Sequence, residues 1–278
     1  MGDDYKPVLR AGSDPLVFFK YPGAGAEGDI ARGHIMAAVM SHALHDGEVV
    51  VMGANSLLPL AAARLAQLTH APNLTLIAGA SGGVNTLVEP LAPSSGDYAN
   101  LIAEAVLDFP EVLMLQMGGK TDVFFAGGIQ IDKYGNCNLA YAGRDQGQVT
   151  LRGPGSAGLP WAHRSGRTIL YVTTHTARTF VEKVDFVSLP GHNVQAVGRQ
   201  GGRPKLVVTP LCVMDFDDRG LLRLVSLHPG VKLSDVIDNT GFELVGVSDS
   251  VPTTPEPSSE ELQLLRELDP DALLVAVA

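Results

Sequence analysis

Between Glu48 and Ala78 the chain changes pattern twice, and the order of those changes fixes most of what it can fold into. Glu48-Val49-Val50-Val51-Met52-Gly53 carries a continuous apolar run closed by glycine, Leu57 to Thr69 is rich in alanine and leucine, and Leu74 to Ala78 is a second apolar run. An unbroken apolar run reads as a strand buried on both faces, and strand, helix, strand within about 30 residues is the length of a βαβ crossover. A crossover of that kind joins parallel strands, so the amino-terminal part predicts an α/β fold on a parallel sheet.

The flanking segments extend this reading. Ile35, Met36, Val39, Met40, Ala43 and Leu44 recur at helical spacing, and Gly47 stands where a C-cap glycine belongs. Further apolar runs cover Val112 to Met117, Val123 to Ala126, Thr168 to Thr173, Val184 to Ser188, Leu206 to Thr209, Val213 to Phe216 and Leu222 to Leu227. Helices separate only some of them and Tyr134-Gly135-Asn136 reads as a hairpin turn, which predicts a parallel-to-mixed sheet flanked by helices in a single domain over 29–278. Ser258-Ser259-Glu260-Glu261 supplies a capping box for a last helix carrying Leu262, Leu264, Leu265 and Leu268, after the Pro-rich connector Pro252 to Pro257. Residues 1–28, with three prolines and an aromatic cluster at Phe18, Phe19 and Tyr21, read as an irregular arm.

Composition excludes several function classes. With Lys+Arg 20 against Asp+Glu 30 the formal charge is −10, which opposes binding to nucleic acid. Cys137 and Cys212 occur in unrelated contexts, so neither a disulfide framework nor a Cys-based zinc site is expected. Leu16-Val17-Phe18-Phe19 is too short for a signal-peptide core and no run approaches a membrane span, so the expected location is cytoplasmic, away from membranes. Hydrophobic residues at 45% with 18% charged make a subunit interface the expected destination of some apolar surface.

Two literal motif matches carry little. Gly153-Pro154-Gly155-Ser156-Ala157-Gly158 spells a dinucleotide fingerprint, but Leu159-Pro160-Trp161-Ala162 is a poor first helical turn after it. Gly79-Ala80-Ser81-Gly82-Gly83 spells a nucleophile elbow with Ser81 as the nucleophile; the helix it requires would meet Pro90.

The stretch Gly127 to Asn138, with its Ile131-Asp132-Lys133-Tyr134-Gly135-Asn136-Cys137-Asn138 core, and the loop Leu151 to Gly158 together resemble the β-type subunits of class I coenzyme A transferases such as glutaconate CoA-transferase. The likeness runs from about Asp29 to the C-terminus. Tyr134-Gly135-Asn136-Cys137-Asn138, Arg152-Gly153-Pro154-Gly155 and Ser226-Leu227-His228-Pro229-Gly230-Val231 are also similar to the small subunit of the steroid C/D-ring-opening CoA-ester hydrolases.

The resemblance implies a CoA-transferase-like domain, an α-type partner subunit bearing the other half of the site, and a coenzyme A thioester as substrate, with no bound cofactor. It implies that Gly153, Gly155 and Ser156 border the acyl-CoA site. It also exposes an absence: the family's nucleophilic glutamate falls on Gly79 or, with a shift of one residue, on Ala80. Class I transfer needs that carboxylate to hold CoA as an enzyme thioester, and neither hydrogen nor methyl can do so. The expectation is therefore hydrolysis of a CoA thioester substrate, including carbon–carbon ring opening of a cyclic β-diketone-type ester, ahead of CoA transfer. The alternatives are a transferase with an unusual site, a non-catalytic CoA-binding subunit, and a serine hydrolase using Ser81. Gly79, Ala80, Ser81, Gly82, Asn136, Arg152, Gly153, Gly155 and Ser156 are the candidate substrate and CoA contacts.

Other residues weigh toward plainer roles. Asp132, Asn136 and Asn138 equally suit backbone-bonded turn residues. Glu104 and Glu111 read as solvated helix-flank residues. His163, His175, His192 and His228 lie in separate segments without ligand spacing, so no metal is expected.

Overall fold

A computed structural model of the chain describes residues 30–145, 148–194, 201–248 and 250–276. The arm expected at 1–28 lies outside the described residues. In chain order the strands are β1 (Val49–Met52), β2 (Thr75–Ala78), β3 (Gly83–Thr86), β4 (Ala103–Val106), β5 (Val123–Ala126), β6 (Gln130–Asp132), β7 (Cys137–Asn138), β8 (Tyr141–Asp145), β9 (Gln148–Arg152), β10 (Arg167–Tyr171), β11 (Phe180–Val181), β12 (Pro204–Val208), β13 (Cys212–Phe216) and β14 (Leu222–Leu227). The helices are α1 (Arg32–His42), α2 (Leu57–Leu68), α3 (Phe109–Met117), α4 (Leu159–Ala162), α5 (Leu233–Asp238) and α6 (Ser259–Leu268), with a 3₁₀ turn at Tyr98–Leu101.

A nine-stranded sheet in the order β14-β13-β12-β10-β5-β1-β2-β3-β4 forms the backbone of the molecule. The strands from β12 through β2 pair in parallel, and antiparallel pairs finish both edges. The burial patterns explain the division: all four residues of β5 are buried, as a parallel strand between two layers must be, whereas β14 alternates buried Leu222 and Leu224 with exposed Arg223 and Val225. The mixed α/β sheet expected from the sequence is thus the observed one.

Period-two alternation in the central strands splits the core. Val50, Met52, Phe125, Ile169 and Val208 face the layer of α1, α2 and α6, and Val51, Phe124, Ala126, Leu170 and Val207 face the opposite layer. On α2, Leu57, Leu58, Leu60 and Leu65 are all buried, each contributing roughly 1.5–3 kcal/mol. Arg167 at the start of β10 forks onto Glu48 beside β1, with Nη2 donating at 2.8 Å, and ties the amino-terminal ends of the parallel strands together.

Four local expectations are corrected. Val112 to Met117 lies in helix α3, because Asp108 accepts from Glu111 N while Glu111 accepts from Asp108 N, a capping box that fixes a helix start just ahead of the apolar run. Val184 to Ser188 forms no strand; the chain there is pinned by single contacts such as Ser188 N to Cys137 O. Helix α1 ends at His42 with Ala43 as its C-cap, and Gly47, at φ +78°, turns the chain into β1. Glu104 sits on edge strand β4, where it accepts from Asn85 Nδ2, and not beside a helix.

One surface is conspicuously apolar. Ile102 (62% exposed) and Val106 (54%) lie along the β4 edge, and Phe109 (55%), Met114 (69%) and Met117 (51%) share the bare side of α3.

Candidate functional site

A cleft of about 1420 Å³ opens where the carboxyl ends of β1, β2, β5 and β10 meet α3, the β8–β9 ribbon and the Pro154–Leu159 loop. In the sheet order the chain runs from β1 to β2 on one side and places β5 on the other. The cleft therefore lies at the switch point of an open parallel sheet, where strand ends diverge and ligands bind.

At the end of β2 the wall is built of small residues. Gly79 and Ala80 both line the cleft. A Cβ on Gly79 would stand 2.5 Å from the Met52 carbonyl oxygen, whereas Ala80 is exposed toward the opening. Gly96 and Ala54 close in beside Ala80, since a Cβ on Gly96 would lie 3.5 Å from that of Ala80 and 3.9 Å from that of Ala54. Ser94 and Ser95 pin this loop to the end of β1, Ser94 Oγ accepting from Asn55 N at 3.1 Å and Ser95 Oγ donating to Gly53 O. Of these two positions, 79 is closed to a side chain by the Met52 carbonyl, and 80 is exposed.

Ser81 and Gly82 fall outside the cleft lining. They form the β2–β3 hairpin turn, where Ser81 Oγ donates to Ala78 O at 3.2 Å. A nucleophile elbow needs a helix after the turn; here strand β3 follows.

The Gly153–Gly158 loop borders the cleft through Pro154, Ala157 and Gly158. Gly153 lets the loop sit against β7, because a Cβ there would be 2.1 Å from Leu139 O. Gly155 takes φ +94°, and Ser156 Oγ donates to Ser188 Oγ at 3.1 Å behind the loop. Arg152 pairs with Tyr141 in the ribbon and is not among the cleft-lining residues. The short α4 that follows has four residues, too little helix for the dinucleotide motif.

The Asp132, Asn136 and Asn138 cluster works from behind the wall. Asn136 Nδ2 donates to both Asp132 oxygens, and its Oδ1 accepts from Gly191 N at 2.7 Å. Burial raises the Asp132 carboxyl above its ordinary range, against the opposing hydrogen bonds from Asn136. Asn138 Nδ2 donates at 2.7 Å to Gln130 Oε1, and Gln130 Nε2 donates at 2.9 Å to Asp185 Oδ2. Gln130 and Asp185 do line the cleft. The signature thus reaches the site one residue removed.

Sequence reasoning passed over the polar side chains that the fold delivers to the cleft. These are Tyr171, whose hydroxyl lies 3.0 Å from Ser56 Oγ, the buried Gln116 of α3, Arg178, and the acids Asp97 and Asp185. Only the ends of strands β1, β5 and β10 signalled that such positions existed. Burial pushes both Cys137 and Cys212 thiols up to about 12, which removes them as nucleophiles at neutral pH. His175 and His228, distant in sequence, converge on Thr209: His175 Nδ1 lies 2.9 Å from its Oγ1 and His228 Nε2 donates to its carbonyl at 2.8 Å. Neither lines the cleft. Among the described residues no group of three or more His, Cys, Asp or Glu is arranged to hold a metal, and no helix is long and apolar enough to cross a membrane.

A mixed α/β subunit with a roomy cleft at the carboxyl ends of its parallel strands belongs to the class that binds small molecules at a sheet switch point. More narrowly, the chain belongs to the coenzyme A transferase family, whose model matches residues 34–239. It is 33% identical to the B-type subunit of 3-oxoadipate CoA-transferase from Pseudomonas knackmussii over 84% of this chain and 92% of that protein. It is 37% identical to the cholesterol ring-cleaving hydrolase IpdB subunit of Rhodococcus jostii over 78% of this chain and 83% of that protein. Glutaconate coenzyme A-transferase from Acidaminococcus fermentans superposes with a TM-score of 0.77 at 26% identity, covering 88% of this chain and 96% of the other.

Proposed function

We propose that this chain is the β-type subunit of a two-subunit cytosolic enzyme that acts on a coenzyme A thioester, and that its reaction is hydrolysis, including carbon–carbon ring opening of a cyclic β-diketone-type CoA ester. The observation that carries the reading is the cleft wall at Gly79 and Ala80. No glutamate lines the cleft among the described residues, and both aspartates that do are engaged: Asp97 Oδ1 accepts from Ala99 N at 2.8 Å and Asp185 Oδ2 from Gln130 Nε2 and Gly143 N. A cleft wall without a glutamate supports hydrolysis over covalent CoA transfer, which uses an attacking carboxylate, and the space beside Ala80 suits a water or a bulky acyl group. Relatives of both kinds support the family half of the reading, and the similarity to a ring-cleaving hydrolase subunit favours the hydrolytic half.

The base that activates water is assigned to the α-type partner, so this chain supplies the pocket and the positioning groups. Gln130, held by Asn138 and Asp185, and Tyr171, held by Ser56, are the donors best placed to orient the thioester. The test is to co-purify the chain with the product of the neighbouring α-type reading frame and assay CoA-ester turnover without any acceptor acid. Hydrolysed product with no hydroxylamine-sensitive CoA adduct on this chain is the expected result. A CoA thioester trapped on one of its carboxylates would establish transfer instead.

A further inference from the structure

We infer that Gln116 reads a neutral oxygen, a ketone or a hydroxyl, on the acyl part of the ligand, and so selects oxygenated acyl groups over plain hydrocarbon ones. This rests on the acyl-CoA reading above and assigns a specificity-determining residue at the same site. Phe109, Val112, Leu113 and Gln116 line the cleft from one stripe of α3, at the i, i+3, i+4 and i+7 positions that share a helix face. Three of them are apolar. The fourth is a carboxamide, only 1% exposed, at a position where the pattern calls for one more apolar residue.

That amide has no partner within the chain. The Gln116 backbone carbonyl accepts from Gly119 N at 2.9 Å, but its side chain makes no hydrogen bond among the described residues. Gln130, the other glutamine of the cleft, is by contrast tied to both Asn138 and Asp185. The side-chain atoms sealed from solvent without a partner among the described residues are Ser41 Oγ, Arg64 Nε and Asn100 Oδ1. The Gln116 amide is neither bonded nor sealed, so its tip opens on the cleft that it lines. A methyl built on Gly158 would lie 3.9 Å from Gln116 Oε1 and 4.0 Å from Phe124 Cζ, which sets the amide between the glycine loop and an aromatic ring. An amide among apolar walls is costly until a partner arrives, and a ligand that brings one is favoured over its analogue that does not.

Depth decides which part of the ligand arrives. Phe109, at the start of α3, is 55% exposed and stands at the mouth, whereas Gln116, about two turns further along, is almost closed off. The nucleotide and phosphates are the bulky, charged end of a CoA ester and stay toward the mouth, so the acyl body is what reaches Gln116. A carboxamide donates and accepts without offsetting a charge, which suits a ketone or hydroxyl and not a carboxylate.

Calorimetric titration of the two-subunit complex tests this with three probes: levulinoyl-CoA, a keto ester; valeryl-CoA, which has a methylene in place of that ketone; and free CoA. Wild type is expected to bind the keto ester about tenfold more tightly than valeryl-CoA. Gln116→Met, close in shape but without the amide, should erase that difference by weakening the keto ester about tenfold, while valeryl-CoA and free CoA stay within about twofold. The melting temperature of the variant complex without ligand should hold or rise, because an unpaired amide has been removed; a clear fall would reveal a structural partner and overturn the inference. Equal weakening of both esters and of free CoA would put a pantetheine amide on Gln116, and unchanged binding of all three probes would leave the amide to water. Either result overturns the inference. If wild type bound neither ester nor free CoA, the acyl-CoA reading itself would fall, an outcome distinct from the others.

Discussion

Asn136 grips Asp132 by both carboxylate oxygens, its Nδ2 lying 3.1 Å from Oδ1 and 2.9 Å from Oδ2, with both residues buried in the β6–β7 hairpin. The same amide donates to Asn193 Oδ1 at 2.8 Å and accepts from Gly191 N. One side chain therefore satisfies a buried charge and fastens a distant segment to the turn.

Replacing Asn136 with Ala removes the side-chain donor of Asp132 and the side-chain acceptor Oδ1 of Gly191 N. We expect a loss of about 3 kcal/mol in chemical denaturation. Asn136→Asp should be worse, since it sets a second carboxylate against the first. An unchanged denaturation midpoint in Asn136→Ala would show that water replaces the amide at no cost.

His175 and His228 give the fold an acid sensitivity. Burial holds both at about 4, against an ordinary value of 6.5. The unfolded chain then binds more protons than the folded one between those values, so stability is complete above about pH 6.5 and falls as the pH drops toward 4. Each histidine contributes on the order of 3 kcal/mol to that loss. Asp132 acts in the opposite sense, because burial raises its carboxyl and its protonation relieves a cost. Thermal unfolding followed from pH 7 to pH 4.5 should show a steep decline in wild type and a shallower one in the His175→Gln, His228→Gln double variant.

A glutamate introduced at each of two neighbouring positions of the cleft wall tests the proposed loss of the nucleophile. Ala80→Glu should fold normally and, with the partner subunit, acquire a hydroxylamine-sensitive CoA adduct. Gly79→Glu should lose about 1–3 kcal/mol or fail to fold, because its Cβ would press on the Met52 carbonyl. Mass spectrometry of the intact chain after incubation with acyl-CoA reads the first outcome, and a melting curve reads the second.

Two glycines of the cleft loop separate space from strain. Gly153→Ala forces its methyl against Leu139 O, displacing the loop, and should cost about 2–3 kcal/mol together with weaker acyl-CoA binding. Gly155→Ala meets nothing within 4 Å but keeps φ +94°, so it should cost about 1 kcal/mol and leave binding near normal. Paired melting and titration experiments distinguish the two.

The sheet was readable from its apolar runs because parallel central strands need no alternation, and Val49 to Met52 and Val123 to Ala126 announce themselves. The same rule misread Val112 to Met117, whose helix is declared by the polar residues Asp108 and Glu111 ahead of it rather than by its own apolar content. Gly79 and Ala80, which line the cleft, were singled out only through the family likeness, since small residues carry no periodicity of their own. Arg178, Tyr171 and Gln116 were not legible. They stand on the β10–β11 turn, the end of β10 and the inner side of α3, and only the closing of the sheet brings them to one cleft. His175 and His228 show the converse: separation in sequence concealed their meeting at Thr209.

The bare apolar band on β4 and α3 bears on how the chain must be handled. A strand that pairs on one side only among the described residues, flanked by Ile102, Val106, Phe109 and Met114, is a template for unwanted pairing. Produced by itself at high concentration, the polypeptide should clump or precipitate more readily as salt rises, and a synthesis schedule that covers the band early would decide the yield of usable material.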